Sequence, residues 1–286
     1  MSFIHLLQNS PGFFISFCSI LGLVVGSFLN VVIVRLPKML EREWAQQCAD
    51  SSAETLQALP PYNIIRPRSA CVHCGHKITA MENIPLMSYV LLRGRCSRCK
   101  APISLRYPLV ELLTATTSGY IAWHFGYGFA AFAALGFTWA MIALAFIDID
   151  TQLLPNDITM PLLWTGLLVN LADTFTDIGS AVLGAVAGYI MLWSIYWAFK
   201  LVTRREGMGY GDFKLLAAIG AWLGWQMLPL VILFSSIAGT AVGVFLMAVA
   251  KRGRYEPIPF GPYLAGSGLA ALLWGRQLNQ VYWNLF

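Results

Sequence analysis

The sequence predicts an all-α polytopic membrane protein of about eight transmembrane helices, with a small cytoplasmic insertion between the first helix and the second. Three observations lead there. Of 286 residues, 57% are apolar and only 12% charged, about half the roughly 25% of an average soluble domain. No charged residue precedes Arg35, none lies between Glu111 and Asp148, and none between Lys214 and Lys251; each gap exceeds the roughly 20 apolar residues that cross a bilayer. The basic residues also fall where a threaded chain would put them. Apolar runs bounded by charge, Gly or Pro cover roughly 13–34, 107–124, 129–147, 158–172, 178–199, 213–226, 228–250 and 262–280. With the N-terminus outside, segments 35–106, 200–214 and 251–254 are cytoplasmic and hold eighteen of the nineteen Lys and Arg residues, Arg276 being the exception, as the positive-inside rule requires.

Taken in order, the first run is followed by its positive charges, Arg35 and Lys38, rather than preceded by them. That order marks a retained helix and not a secretory signal. The expected organisation is therefore a first transmembrane helix over 1–34, a cytoplasmic domain over 35–106, and a multi-span membrane core over 107–286. The cytoplasmic domain opens with a polar, helix-compatible stretch, Glu41 to Leu59, after which Pro60, Pro61 and Pro67 predict turns and extended chain. The sixth run and the Trp225-Gln226 turn give the least regular span. Trp123, His124, Tyr127, Trp225 and Trp283 fall near the outer interface, where amphipathic rings are favoured. The net charge of +5 resides in the loops and sets orientation, so the expected surroundings are a lipid bilayer and no nucleic acid.

Four of the six cysteines form two pairs, Cys71-Val-His-Cys74 and Cys96-Ser-Arg-Cys99, with 21 residues between them. Paired thiols in a basic loop point to metal binding in a reducing compartment rather than to disulfides. Each pair offers two thiolates from one tight turn, and Gly75 supplies conformational freedom after the first. Together the turns make a closed tetrahedral zinc site, structural because no position is left for water. Lys77, Arg93, Arg95, Arg98 and Lys100 offset the charge of such a tetrathiolate. His73 and His76 are expected beside the site or at the surface. Cys18 and Cys48 are expected to be inert.

An ionisable carboxylate within or at the end of a span is costly, so each one is a site candidate. Glu111, Asp148, Asp150, Asp157 and Asp212 qualify. Asp148 and Asp150 close the third span before Leu153-Leu-Pro-Asn156. Asp212 opens the sixth in Gly207-Met-Gly-Tyr-Gly-Asp-Phe-Lys214, where the three glycines permit positive φ and close approach of another chain. Two carboxyl groups sharing one water cannot both ionise easily, so one acts as base while the other stays protonated. The pair can then hydrolyse a peptide bond with neither metal nor covalent intermediate. Asp150 and Asp157 are expected to cap or pair at the interface, and Glu111 to make a polar contact between helices.

These motifs resemble those of the type IV prepilin leader peptidases, bacterial membrane aspartic proteases of the Gly-x-Gly-Asp class. The resemblance runs through Gly26-Ser-Phe-Leu-Asn30 with Arg35-Leu-Pro37, both cysteine pairs, Arg106-Tyr-Pro-Leu-Val-Glu111, Ile147-Asp148 with Gln152-Leu-Leu-Pro155, Gly209-Tyr-Gly-Asp-Phe-Lys214 and Pro259-Phe-Gly-Pro262. It implies cleavage of basic leaders from prepilins and pseudopilins of type IV pilus or type II secretion systems, at the cytoplasmic face of the inner membrane. It further implies catalysis by Asp148 and Asp212 and zinc on Cys71, Cys74, Cys96 and Cys99. Members of this kind commonly also methylate the new N-terminal residue with S-adenosylmethionine. One departure is visible: Asn156 stands after Leu-Leu-Pro, where many relatives carry Asp. The competing readings are a transporter, whose carboxylates would lie at the midplane, and a non-enzymatic assembly factor that docks through the cysteine loop.

Overall fold

The computed structural model describes residues 3–51, 62–205, 207–249 and 258–283. Pro60, Pro61, the end of the Glu41 to Leu59 stretch, the basic cluster Lys251, Arg252 and Arg254, and the side chains of Arg276 and Trp283 lie outside the described residues. Regular structure among the described residues is helical, with two isolated β-bridges. The chain divides into two compact units, Met1–Tyr127 and Gly128–Phe286.

In the first unit, α1 (Phe3–Asn9) leads into α2 (Pro11–Ser51), followed by the short α3 (Met87–Leu91) and by α4 (Arg106–Phe125). The helix of the first expected span does not stop at residue 34. It runs unbroken for 41 residues through Pro37, taking in the first part of the polar stretch. Because lipid gives helices no hydrophobic reason to associate, close packing of small residues supplies the contact. A side chain on Gly26 would stand 2.8 Å from Glu111 Cα, and one on Gly22 2.7 Å from the Thr114 carbonyl oxygen, so α2 and α4 meet nearly backbone to backbone. Asn30 donates from Nδ2 to Tyr107 O at 3.0 Å. Glu111 lies inside this pair and accepts from the backbone N–H of Leu86 at 2.8 Å, which ties the insertion to α4. Buried Arg35 does the same from α2, donating to Asn63 O and Ile64 O at 3.1 Å each.

In the second unit, α5 (Phe129–Thr151), α6 (Asn156–Val169), α7 (Ile178–Thr203), α8 (Tyr210–Leu223), α9 (Leu228–Val249) and α10 (Gly261–Trp283) follow one another with short links. Helix α8 is the core. From Leu215 to Leu223 every residue is buried, and α6, α7, α9 and α10 all pack against it. Gly184 of α7 and Gly220 of α8 bring their backbones together so closely that a Cβ on either would strike the other's carbonyl oxygen. At the far end of α8, Trp222 donates from Nε1 to Leu162 O at 2.8 Å, and Asn170 caps the helix by donating to Ala221 O and Trp222 O at 2.9 Å each. Outward faces are apolar, as on α7 at Leu183, Val186 and Ile190 and on α9 at Ile237, Val244 and Phe245. Such surfaces suit lipid.

Each of the eight expected runs is a helix. Four described helices are long and apolar enough to cross a membrane: Pro11–Ala49, Phe129–Thr151, Ile178–Thr203 and Trp225–Val249. Helices α6 and α8, of 14 residues each, are too short for that standard.

Candidate active site and metal centre

The second unit brings Asp148 and Asp212 together. Asp148 lies in the last turn of α5, whose end is sealed by Gln152 in left-handed conformation with its N–H on Asp148 O at 2.9 Å. Asp212 lies in the first turn of α8 after Gly209, an extended N-cap. Both side chains are buried, 5% and 7% exposed, and the charge of Asp148 acts on Asp212. The 63 residues between them in sequence are bridged by packing on one side chain: Leu154 touches the positions where side chains would grow from Gly211 and from Gly261, at 2.7 and 3.1 Å. Asp148 Oδ2 accepts from the Gly261 N–H at 2.9 Å. Asp212 Oδ1 is buried without a hydrogen-bond partner, a costly state that suits an atom kept for a ligand.

The glycines before Asp212 serve differently from expectation. None of Gly207, Gly209 and Gly211 has positive φ. Gly207 lies against the Phe199 ring and Gly211 against Leu154, so close approach is their role, and the neighbour is this chain's own side chain. Asp150 and Asp157 are exposed; Asp157 stands in the first turn of α6, where a negative charge suits the helix dipole. Glu111 does contact the neighbouring helix, through Ser27, and it also holds the Leu86 N–H, which the sequence did not foretell.

The four cysteines of the first unit converge. Their sulfurs lie within 4.8 Å of one another, with Cys71 Sγ to Cys99 Sγ at 3.7 Å and Cys74 Sγ to Cys96 Sγ at 4.0 Å. Sulfurs placed tetrahedrally about 2.3 Å from a zinc ion are about 3.8 Å apart, so the set fits a metal. Two turns of one design build it. Cys71 N donates to His76 O and Gly75 N to Cys71 O; 25 positions on, Cys96 N donates to Ala101 O and Lys100 N to Cys96 O. Bridges Ala70 to Lys77 and Arg95 to Pro102 close the two turns. Gly75 has φ 69° as its position requires, and Lys100 takes φ 60° at the matching place. Backbone N–H groups of Cys74 and His73 lower the Cys71 thiol, and those of Cys99 and Arg98 lower Cys96 to about 6, whereas Cys99 is pushed up to about 11, so one cysteine of each pair favours the thiolate that metals bind.

Glu82 was not singled out by the sequence. It hydrogen-bonds Ser97 in the second turn, accepts from Thr79 N and Oγ1 at 2.8 and 2.9 Å, and meets His76 Nε2 of the first turn at 3.2 Å. The Ser97 and Thr79 bonds hold its carboxyl down at about 2. His76 is thereby a brace beside the cysteines rather than a fifth ligand.

Residues 20–125 match the Bacterial Peptidase A24 N-terminal domain, and residues 135–244 match the Type IV leader peptidase family. The chain is 54% identical to a prepilin leader peptidase/N-methyltransferase of Aeromonas hydrophila, over 99% of this chain and 98% of that protein. It is 52% and 53% identical to proteins of the same name from Stutzerimonas stutzeri and Pseudomonas aeruginosa, with the same coverage. No solved structure matches.

Proposed function

Because the chain belongs to the prepilin leader peptidase/N-methyltransferase family, we propose that it cleaves the leader from type IV prepilins and type II secretion pseudopilins and methylates the N-terminus so exposed. The proposed catalytic pair is Asp148 and Asp212. One observation carries this: Asp212 keeps a buried carboxyl oxygen unpartnered within electrostatic reach of Asp148. One carboxylate takes a proton from water as the water oxygen attacks the scissile carbonyl carbon, and the other, protonated, gives its proton to the carbonyl oxygen. No metal enters that chemistry.

Eight spans in the bacterial inner membrane, N-terminus outside and insertion in the cytoplasm, are the proposed topology, supported by the placement of the basic residues. Zinc is the proposed occupant of Cys71, Cys74, Cys96 and Cys99, where it would lock the two turns together. S-adenosylmethionine would supply the methyl group. The described residues form no strand-turn-helix cradle of the kind that holds nucleotides, and its seat is given to no residue.

The test is cleavage of a purified prepilin in detergent, with mass spectrometry of the products. Asp148→Asn and Asp212→Asn should each abolish cleavage while leaving folding and metal content intact. Full processing by either variant refutes the mechanism, and wild-type protein that leaves every prepilin and pseudopilin uncut refutes the function.

A further inference from the structure

We infer that Gly261 is a positioning residue for the peptidase reaction, its N–H holding Asp148 as the ionised base and leaving Asp212 as the protonated acid. The inference rests on the two-aspartate reading above and adds to it an order of roles.

The two carboxyl groups are chemically unlike. Asp148 Oδ2 receives the Gly261 N–H at 2.9 Å, from the first residue of α10, whose opening N–H groups have no partner within the helix. A hydrogen bond to a carboxylate is stronger than one to a neutral carboxyl, so this donor favours the anion. A side chain here would displace the carboxyl: a Cβ at 261 would stand 2.7 Å from Asp148 Oδ2 and 3.1 Å from Leu154 Cδ2. Asp212 also takes a backbone hydrogen bond, from Gly209, but its Oδ1 is left buried and unpartnered, and no atom of Asp148 is. A charge there would lack solvation, whereas a carboxylic acid needs only one acceptor for its proton, and a peptide carbonyl provides it. The end of α5 beside Asp148 and the start of α8 beside Asp212 have dipoles that favour the opposite assignment. These act diffusely, and the bond from Gly261 to Asp148 together with the orphaned Oδ1 of Asp212, which a charge would leave unsolvated, outweighs them.

With these roles the atoms balance. Water adds to the scissile carbonyl carbon, its proton passing to Asp148 while Asp212 protonates the carbonyl oxygen. In the collapse, the proton on Asp148 moves to the amide nitrogen, the carbon–nitrogen bond breaks, and a diol hydroxyl returns its proton to Asp212. One water is consumed, one acid and one amine are released, and the pair is restored.

Two measurements on the full-length protein in detergent test the inference. Gly261→Ala should lower kcat for prepilin cleavage roughly 100-fold with KM within about twofold, and should still methylate pilin supplied already cleaved. Gly266→Ala, on the same helix with open space around it, should retain both activities. Equal loss of cleavage and methylation in Gly261→Ala, or kcat near that of wild type, overturns the role of Gly261. Infrared difference spectra then assign the proton whether or not Gly261→Ala folds. The protonated-carboxyl band should vanish in Asp212→Asn and persist in Asp148→Asn; the reverse pattern overturns the inference while leaving the peptidase reading intact, which falls only if the wild type does not cleave.

Discussion

Lys214 of α8 donates from Nζ to Asn156 Oδ1 of α6 at 2.7 Å. The bond ties the helix that carries Asp212 to the segment that follows Asp148; Asn156 is exposed and Lys214 half-buried. Asn156→Asp turns the hydrogen bond into a surface ion pair worth at most about 1 kcal/mol. Cleavage should remain within a few-fold of wild type and thermal stability should rise slightly, the gain fading at high salt. Lys214→Ala should lower kcat more than it lowers the melting temperature. A melting temperature that falls while kcat is unchanged would show that the bond has no part in placing Asp212.

The contact of Gly184 with Gly220 leaves no room for any side chain, and the atoms opposed are backbone. Gly220→Val should cost several kcal/mol, as overpacking against an unyielding backbone does, and should remove cleavage by unseating α8. The check is thermal unfolding in detergent, in which Gly266→Ala, with open space around it, should stay near wild type.

Cys96→Ser should release the metal and abolish the paired turns, measured as the zinc-to-protein ratio after dialysis. Glu82→Gln should retain zinc but speed its loss to a chelator, because the brace linking the turns becomes neutral. The folded carboxyl titrates at about 2 against an ordinary value of 4.5, so its contribution is full above about pH 4.5 and is lost as pH falls toward 2. The difference in chelation rate between Glu82→Gln and wild type should therefore be level from pH 7 to about 5. A difference that already disappears across that range would remove the ionised carboxylate from the account.

The helices were legible because charge cannot enter a span cheaply: the described helices stand within a few residues of where Lys, Arg, Gly and Pro bound the runs, except at the end of the first. The continuation of α2 through Pro37 to Ser51 was not, since a polar stretch after a span reads equally as loop or as projecting helix. The convergence of the four cysteines on two tight turns was legible from spacing alone, but the residue that closes the second turn was not. Lys100 occupies a left-handed position where the first turn has glycine, so at that position the repeat lies in the hydrogen bonding and not in the residue type. Asp148 and Asp212 were singled out by the cost of burying them. The hydrogen bond of Gly261 to Asp148 joins positions 113 apart through a backbone atom, and no side-chain pattern announces a backbone donor. Of the two reasons for glycine near Asp212, close approach holds at Gly207 and Gly211, though to this chain's own side chains, and positive φ does not; crowding and unusual torsion select the same residue.

Helix α8, at 14 residues, rises about 21 Å, some way short of the roughly 30 Å of hydrocarbon it is proposed to traverse. One of its ends must then be recessed. The Trp222 end is stoppered by Asn170 and Leu162, whereas the opposite end carries an acid. Recession at the Asp212 end sets the acid below the membrane surface, and only a substrate able to unravel at that depth could be cut there.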